Sequence, residues 1–255
     1  MYPILEFDSN PSAIIEPSKL IAKRPDFPSI CISTFSGKII EKLSQMNSVA
    51  QICRIHNANG EIPIYQIDYE NTPIAFYLSP IGSAAAAGTL EEIIALGANK
   101  FVFFGSCGVL NHEIVDGHII VPTSAVRDEG TSYHYISPSP EITLSKESVD
   151  CMIQTLQQLD YPYICGKVWS TDAFYRETPD KMQRRKQSGC IAVEMECSAL
   201  AAVCAFRKVS FSQFLYAADN LDSLEWEVRG LSINQGLKLS DIYLKTALTC
   251  ALHLK

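Results

Sequence analysis

The sequence predicts a single α/β domain in which helices cover both faces of a central β-sheet. A chain of 255 residues suits one domain of that class. Hydrophobic residues make up 47% of the chain and charged residues 19%, which excludes disorder and indicates a buried core. Strand-like and helix-like segments alternate along the second half, as they do in sheets that carry helices on both faces.

The N-terminal half begins with a segment unlike the rest, since residues 1–28 are rich in proline and show little periodicity. We therefore expect an N-terminal arm over 1–28, laid over a domain that spans 29–255. A β-rich run at 29–34 predicts a strand, and the apolar spacing of 37–46 predicts a helix. Three strand-like runs follow without helices between them, which predicts an antiparallel meander. These runs cover 49–55, 63–69 and 73–78.

The middle of the chain predicts a helix followed by a buried strand. The helix covers 83–96 and ends at Gly97. The apolar residues of 100–104 do not alternate with polar ones, so we expect this strand to be buried on both faces. Beyond it, strands are predicted at 118–126 with an interruption at Pro122, 163–169, 190–193 and 209–218, and helices at 144–159, 194–206 and 228–252.

Charge and cysteine content restrict the partners and the compartment. The chain has 21 Lys and Arg residues against 28 Asp and Glu residues and no basic run, so nucleic acid is not an expected partner. No apolar stretch reaches the roughly 20 residues of a membrane helix, and the first residues show no secretory signal. The nine cysteines form no CxxC pair or Cys/His cluster, so we expect a cytoplasmic protein with reduced thiols, no metal and no organic cofactor.

Residues able to bind a ligand follow four of the predicted strands. In sheets with helices on both faces, ligands bind at the carboxyl ends of the strands. Each segment also has a structural interpretation: a tight turn, packing of aromatic rings, helix caps or an Asx turn. Together they place hydroxyls, aromatic rings and carboxylates at one edge of a sheet, which suits a ligand with a sugar, a flat ring and an anion. The segments are GSCG at 105–108, STDAFY at 170–175, VEMECSAL at 193–200 and AADN at 217–220.

The third segment carries two acids, Glu194 and Glu196, on either side of Met195. They lie where a buried strand meets an alanine-rich helix, and burying a charge there is costly. A helix cap needs only one acid and stabilises by about 0.3–1 kcal/mol. Since the two side chains cannot point the same way, we expect one of them to face a ligand.

The order of these four segments along the chain resembles the nucleoside phosphorylase family, which includes purine nucleoside phosphorylases, uridine phosphorylases and methylthioadenosine nucleosidases. The resemblance runs from about Ser29 to the C-terminal helix. It implies a twisted mixed sheet, a homodimer or a hexamer built from dimers, and cleavage of the bond between ribose and base. The implied substrates are a nucleoside and phosphate, which would make the protein a pentosyltransferase of purine salvage.

The resemblance also implies roles for individual residues. Met195 and Glu196 would hold the ribose, and Phe174 would pack on the base. Asp219 would protonate the leaving ring nitrogen, and Ser106 would face phosphate. These residue types suit the chemistry, because an anion stabilises an oxocarbenium-like transition state and a proton donor assists a poor leaving group. Asp219 can donate near neutral pH only if burial raises its pKa.

The phosphate site departs from the family's pattern. Phosphorolytic members place an arginine two residues before the glycine of the GSCG-like segment, where this chain has Phe103. They also carry a GDPxR segment after the first strand, where this chain has 34–38 and only Lys38 retains a positive charge. A third arginine, lent by a neighbouring subunit, aligns near Gly60. Each missing charge-assisted contact weakens phosphate binding by about 1.5–3 kcal/mol.

Three functional hypotheses therefore stay open. The leading one is a nucleoside phosphorylase with some preference for purines, because Asp219 matches the purine-acting members and the uracil-reading Gln and Arg have no counterpart after Phe174. In this hypothesis Arg127 or Arg54 replaces the missing arginines, although a surface ion pair explains either residue equally well. The second hypothesis is a phosphate-independent nucleosidase, and the third is a nucleoside-binding relative without turnover.

Overall fold

The strands of the protein form one mixed β-sheet in the computed structural model, which describes residues 2–223, 225–231 and 239–255. Most strands are rich in β-branched and aromatic residues, which pack well on a pleated surface. They are β1 (Ile30–Thr34), β2 (Val49–Asn57), β3 (Gly60–Tyr69), β4 (Thr72–Leu78), β5 (Lys100–Val109), β6 (Ile119–Asp128), β7 (Glu141–Thr143), β8 (Tyr163–Thr171), β9 (Cys190–Glu194) and β10 (Ser210–Asn220).

The sheet closes partly on itself. Its order is β10-β6-β8-β9-β5-β1-β4-β3-β2, and β7 lies beside β6. Because β10 also pairs with β5, the strands β5, β10, β6, β8 and β9 form a closed ring. Beyond the ring, β4, β3 and β2 are antiparallel neighbours, which confirms the predicted meander. β1 is parallel to β5 whereas β9 is antiparallel to it, so the sheet is mixed, as the resemblance implied.

Helices cover both faces of this sheet, which confirms the predicted α/β domain. Apolar residues of α3 and α6 belong to one buried cluster, and those of α2, α4 and α7 belong to another on the opposite face. No helix within the described residues is long and apolar enough to cross a membrane. The helices are α1 (Pro17–Leu20), α2 (Gly37–Ser44), α3 (Ser83–Leu96), α4 (Lys146–Gln158), α5 (Pro179–Gln187), α6 (Cys197–Arg207) and α7 (Ser240–His253).

Strand β5 lies between the two clusters. Phe101 and Phe103 are buried in the cluster under α3 and α6. Val102 and Phe104 are buried in the cluster on the other face. The uninterrupted apolar run thus marks a strand that is buried on both sides, as predicted.

The prediction that the strand ends at 104 and that 105–108 follow it is wrong, because β5 continues to Val109 and includes these residues. Gly105 and Gly108 both pair with β10 in the ladder. A Cβ on Gly105 would lie 2.7 Å from Cδ2 of Phe35. The glycines therefore permit close packing across a strand rather than a turn.

Other strand and helix boundaries also differ from the predicted ones. Polar residues at strand ends still pair with their neighbours, so β8 extends to Thr171 and β10 to Asn220. β9 includes Glu194, and the helix predicted from 194 begins at Cys197 instead. The interruption predicted at Pro122 is a bulge, because the register between β6 and β8 shifts there while the strand continues.

The C-terminal helix and α5 also differ from the prediction. The helix predicted over 228–252 is wrong at its start, since Arg229–Leu231 form a 3₁₀ turn and α7 begins at Ser240. Residues 232–238 of that prediction lie outside the described residues. α5 was not predicted, although Thr178 caps it and Pro179 occupies its first turn, a typical helix start.

The N-terminal segment contacts the domain through α3 and α6. Its regular structure consists of a 3₁₀ turn at Pro3–Leu5 and the short helix α1. The Arg24 N–H donates to the Leu96 carbonyl at 2.9 Å, which ties the segment to the end of α3. Glu16 and Arg207 of α6 form an ion pair at 3.7 Å. The proposed division between residues 28 and 29 stays a prediction.

Candidate active site

A cavity of about 700 Å³ opens at the ends of the ring strands. Its volume lies in the range of pockets that bind small molecules. The walls come from β5, from the segments that follow β1, β4, β8 and β9, and from the end of β10 and the turns after it. The residues that line it are Phe35, Ile81, Ser106, Cys107, Gly108, Phe174, Tyr175, Glu177, Pro179, Met182, Val193, Glu194, Met195, Glu196, Asp219, Leu221, Ser223, Trp226 and Leu231.

Five of the six predicted site residues lie in this cavity. Ser106 comes from β5, Phe174 from the turn after β8, Met195 and Glu196 from the junction of β9 and α6, and Asp219 from β10. The strand ends that the sequence marked therefore surround a single space. Their individual roles stay predictions.

The basic residues considered for phosphate binding lie elsewhere. Lys38 is exposed in the first turn of α2 and does not line the cavity. Arg127 is buried, and its Nε donates to the hydroxyl of Ser132 at 2.8 Å. Arg54 forms an exposed ion pair with Glu61 at 2.5 Å, the second of the two interpretations given above.

The cavity wall is consequently acidic. Within the part of the chain that the structure describes, it contains four carboxyl groups and no Lys, Arg or His side chain. Phe103, at the position of the family's missing arginine, is fully buried in the core. The acids are Glu177, Glu194, Glu196 and Asp219.

Glu194 and Glu196, the two acids of the VEMECSAL segment, have different hydrogen-bond partners. Glu194 Oε2 accepts hydrogen bonds from the N–H groups of Glu196 and Cys197, both at 2.7 Å, and thereby caps α6. Its other oxygen accepts the hydroxyl of Ser170. Glu194 is therefore the helix-capping acid, and Glu196 is free of that task.

Glu196 is held at the N-terminus of α3. The N–H of Gly82 donates to Glu196 Oε1 at 2.6 Å, and the hydroxyl of Ser83 donates to the carbonyl of Met195 at 2.6 Å. Gly82 has a φ of +94°, a conformation that favours glycine. This contact fixes one oxygen of the Glu196 carboxyl beside the cavity.

Burial raises the pKa of both carboxyls, and the charge of Glu194 adds to the shift of Glu196. Burial, and then the neighbouring charge of Glu194, raise the pKa of Glu196 well above its usual range. Burial also raises the pKa of Glu194, although its hydrogen bonds oppose the shift. Donors supplied by a bound ligand would favour the ionised form of Glu196.

Asp219 lies near the end of β10, and its side chain contacts a segment that pairs back onto this strand end. Its Oδ2 accepts the indole N–H of Trp226 at 2.8 Å. Asn220 bridges to Glu227 through backbone and side-chain hydrogen bonds, which holds this segment over the strand end. Burial raises the pKa of Asp219, against the opposing effects of Trp226 and Arg229. The Asx turn at this point is made by Asn220, which accepts the N–H of Asp222.

An aromatic pair stands at the mouth of the cavity. The rings of Phe174 and Tyr175 lie 4.0 Å apart between centroids, and 49% of Phe174 is exposed. Phe174 therefore does not serve core packing, the alternative considered from the sequence. Such an exposed ring suits stacking against a flat ligand.

The sequence analysis missed two cavity residues, Glu177 and Trp226. Glu177 directly precedes the Thr178 cap of α5, so recognition of that helix start would have placed it beside the STDAFY segment. No local pattern marks Trp226, because its contact with Asp219 depends on the pairing of Glu227 with Asn220.

The described residues offer no metal site. Within 2–223, 225–231 and 239–255, no group of three His, Cys, Asp or Glu side chains is placed to hold a metal ion. All nine cysteines are free thiols.

Comparison with known proteins agrees with the resemblance. The family model described as "Phosphorylase superfamily" matches residues 29–245. A guanosine phosphorylase of Halorubrum lacusprofundi is 26% identical over 162 residues, which are 62% of this chain and 67% of that protein. A uridine phosphorylase of Thermococcus kodakarensis is 34% identical over 135 residues, 53% of this chain and 49% of that protein. The match thus spans about half of the second relative.

A solved structure shows the same fold. The purine nucleoside phosphorylase of Toxoplasma gondii, in complex with immucillin-H, superimposes with a TM-score of 0.77 at 17% identity. The superposition covers 89% of this chain and 92% of that one. Since the family model covers most of the sequence, the chain belongs to the phosphorylase superfamily, the family of the nucleoside phosphorylases that its four segments resemble.

Proposed function

We propose that this protein cleaves the N-glycosidic bond of a nucleoside, with purines somewhat preferred, and transfers the ribosyl group to phosphate. The products are the free base and ribose 1-phosphate. The observation that carries the proposal is that Glu196 and Asp219 line one cavity together with the exposed ring of Phe174. The proposal takes Glu196 as the sugar-binding acid, Asp219 as the proton donor and Phe174 as the ring that packs on the base.

Glu196 and Met195 bind the ribose in this mechanism. One oxygen of Glu196 is held by the N–H of Gly82, and the other accepts hydrogen bonds from the sugar hydroxyls. As the bond to the base breaks, positive charge develops at the anomeric carbon. A buried carboxylate stabilises that charge more than an exposed one does, because less water screens the interaction.

Asp219 supplies the proton for the leaving base. Its pKa is raised by burial, so a larger fraction of the carboxyl is protonated near neutral pH than for an exposed aspartate. The proton passes to the ring nitrogen as the electrons of the C–N bond move to the base. Phe174 stacks on the ring and orients it.

The fate of the sugar depends on the nucleophile. In phosphorolysis an oxygen of phosphate attacks the anomeric carbon, with Ser106 as a hydrogen-bond donor. The acidic wall described above favours a second candidate, a nucleosidase in which water attacks, because the described wall offers no positive charge to a phosphate dianion.

Base release measured with and without phosphate tests both candidates. Phosphorolysis predicts release that requires phosphate and yields ribose 1-phosphate. Phosphate-independent release with free ribose would replace it by the nucleosidase. Binding of nucleosides without any release would support the third hypothesis, a relative without turnover.

We further propose a homodimer or a hexamer built from dimers, located in the cytoplasm. This proposal rests on the family and not on a contact within the chain. Light scattering of the purified protein measures the oligomeric state, and a monomer at micromolar concentration would contradict it.

A further inference from the structure

Two cysteine thiols meet where α4 packs against α7, away from the candidate active site. Cys151 lies on α4 and Cys250 on α7, and their Sγ atoms are 3.9 Å apart. At this distance the two sulfur atoms touch. Neither residue lines the cavity of about 700 Å³ described above, so the chemistry of this pair is independent of the proposed function.

A second cavity gives access to one thiol of the pair. It has a volume of about 760 Å³, lies between α4, α6 and residues 253–255, and has Cys151 in its wall. Cys151 is partly exposed, whereas Cys250 is fully buried and does not line this cavity. A small solute that enters the cavity therefore meets the sulfur of Cys151 first, with the sulfur of Cys250 in contact behind it.

The contact between the two thiols favours a thiolate on Cys151. A hydrogen bond from Cys250 lowers the pKa of Cys151, although partial burial opposes the shift. The same contact, together with burial, raises the pKa of Cys250 well above its usual range. All nine cysteines lie within the described residues, and the pKa of every one except Cys151 is raised, even that of the exposed Cys165 on β8. Because the thiolate is the nucleophilic form, Cys151 is the reactive member of the pair.

Polar contacts hold both side chains at the interface of the two helices. The Cys151 thiol donates to the carbonyl of Cys250 at 3.7 Å. The Cys250 thiol lies 3.9 Å from the hydroxyl of Ser212 on β10. A disulfide requires the two sulfur atoms at about 2.05 Å, so bond formation needs an approach of about 2 Å through side-chain rotation and a small shift of one helix.

We propose that Cys151 and Cys250 form a redox-modification site that is oxidised by peroxides to a reversible disulfide. The Cys151 thiolate attacks one oxygen of hydrogen peroxide, so that the S–O bond forms, the O–O bond breaks, and the leaving hydroxide takes up a proton to become water. The Cys250 thiol then attacks the sulfur of the resulting sulfenic acid. The S–S bond forms as the S–O bond breaks, and the departing hydroxide leaves with the Cys250 proton as a second water. Two thiols are thereby oxidised by two electrons, and a thiol reductant reverses the step.

The test treats the purified, reduced protein with hydrogen peroxide, alkylates the remaining thiols and maps the cysteines by mass spectrometry. We expect peptides linked through Cys151 and Cys250, released by dithiothreitol, to form about 10-fold or more faster than any oxidation of Cys165. Accessibility alone predicts the reverse order, because Cys165 is exposed. In Cys250→Ser the reaction should stop at a Cys151 sulfenic acid that dimedone traps. Cys165→Ser is the matched control and should form the disulfide as the wild type does.

Thermal unfolding of the wild type gives a second readout that needs no variant. The two cysteines are 99 residues apart in the chain, so a bond between them constrains a long loop of the unfolded state. We expect the oxidised protein to unfold about 5–10 °C above the reduced one, and Cys151→Ser to show no such difference. Oxidation of Cys165 before Cys151, sulfinic acid on Cys151 without a bond to Cys250, or an oxidised protein with a lower Tm would overturn the proposal.

Discussion

Replacing Glu194 and Glu196 by glutamine, one at a time, should separate stability from catalysis. Glu194 accepts three hydrogen bonds, from the hydroxyl of Ser170 and from two backbone N–H groups at the start of α6. A glutamine keeps only one acceptor oxygen and turns a donor toward another donor. We expect Glu194→Gln to lower the free energy of unfolding by about 2–3 kcal/mol, the cost of one lost charge-assisted bond and one buried unpaired donor.

We expect Glu196→Gln to change stability little and to lower activity strongly. Its amide oxygen can still accept the single N–H of Gly82, so we expect the free energy of unfolding near pH 4.5, where ionisation of Glu196 contributes little, to change by less than about 1 kcal/mol. The rate of base release should fall by about 100-fold or more, because the anion beside the anomeric carbon is gone. Urea unfolding and initial rates, measured on the same preparations, give both quantities.

The pH dependence of stability gives a further test of Glu196 as a buried acid. Because its pKa is raised in the folded protein, the folded state binds more protons than the unfolded state above the usual glutamate range. The wild type therefore loses stability as the pH rises, and Glu196→Gln should lose less. Matching losses of stability and activity in Glu196→Gln, or an unchanged stability in Glu194→Gln, would refute the division of roles.

Further predictions concern Asp219 as the proton donor and the packing around Gly108. Asp219→Asn should lower the rate for nucleosides by about 100-fold or more but leave a nitrophenyl riboside, whose leaving group needs no proton, nearly unaffected. Gly108→Ala should lower the free energy of unfolding by about 1–3 kcal/mol in urea unfolding, because its Cβ would lie 2.5 Å from Cδ1 of Leu221.

One control variant and one contradicting outcome belong to these predictions. Gly88→Ala places a Cβ in open space within α3 and should not destabilise the protein, since alanine favours a helix. If Asp219→Asn slows the nitrophenyl riboside as much as a nucleoside, Asp219 does not act as the proton donor.

The sequence was sufficient to locate the site because its four segments lie at or just after the ends of strands that meet in one ring. Chain order and the carboxyl-end rule therefore bring Ser106, Phe174, Glu196 and Asp219 together without knowledge of any contact. The argument that one acid caps the helix while the other faces a ligand also depends only on local geometry. Which acid does which was not predictable, because it depends on Gly82 at a distant helix start.

The remaining features depend on packing between distant segments. Glycines at 105 and 108 indicate a loop when only neighbours along the chain are considered, whereas the close approach of Phe35 explains them in a strand. The burial of Arg127 follows from its bonds within residues 132–139, and no periodicity reveals it. Lys38 matched a charge in an aligned motif, but the exposed turn of α2 carries it away from the cavity.

The closed ring of strands also determines when the pocket can exist during synthesis. The ring closes only when β10 pairs with β5, where Lys100 lies beside Ser210, so most of the polypeptide must emerge before closure. A nascent chain that stops before Ser210 holds four of the five ring strands, β5, β6, β8 and β9, but lacks both β10, which closes the ring, and Asp219. Truncation or proteolytic loss of this last strand should therefore abolish the pocket entirely rather than weaken it.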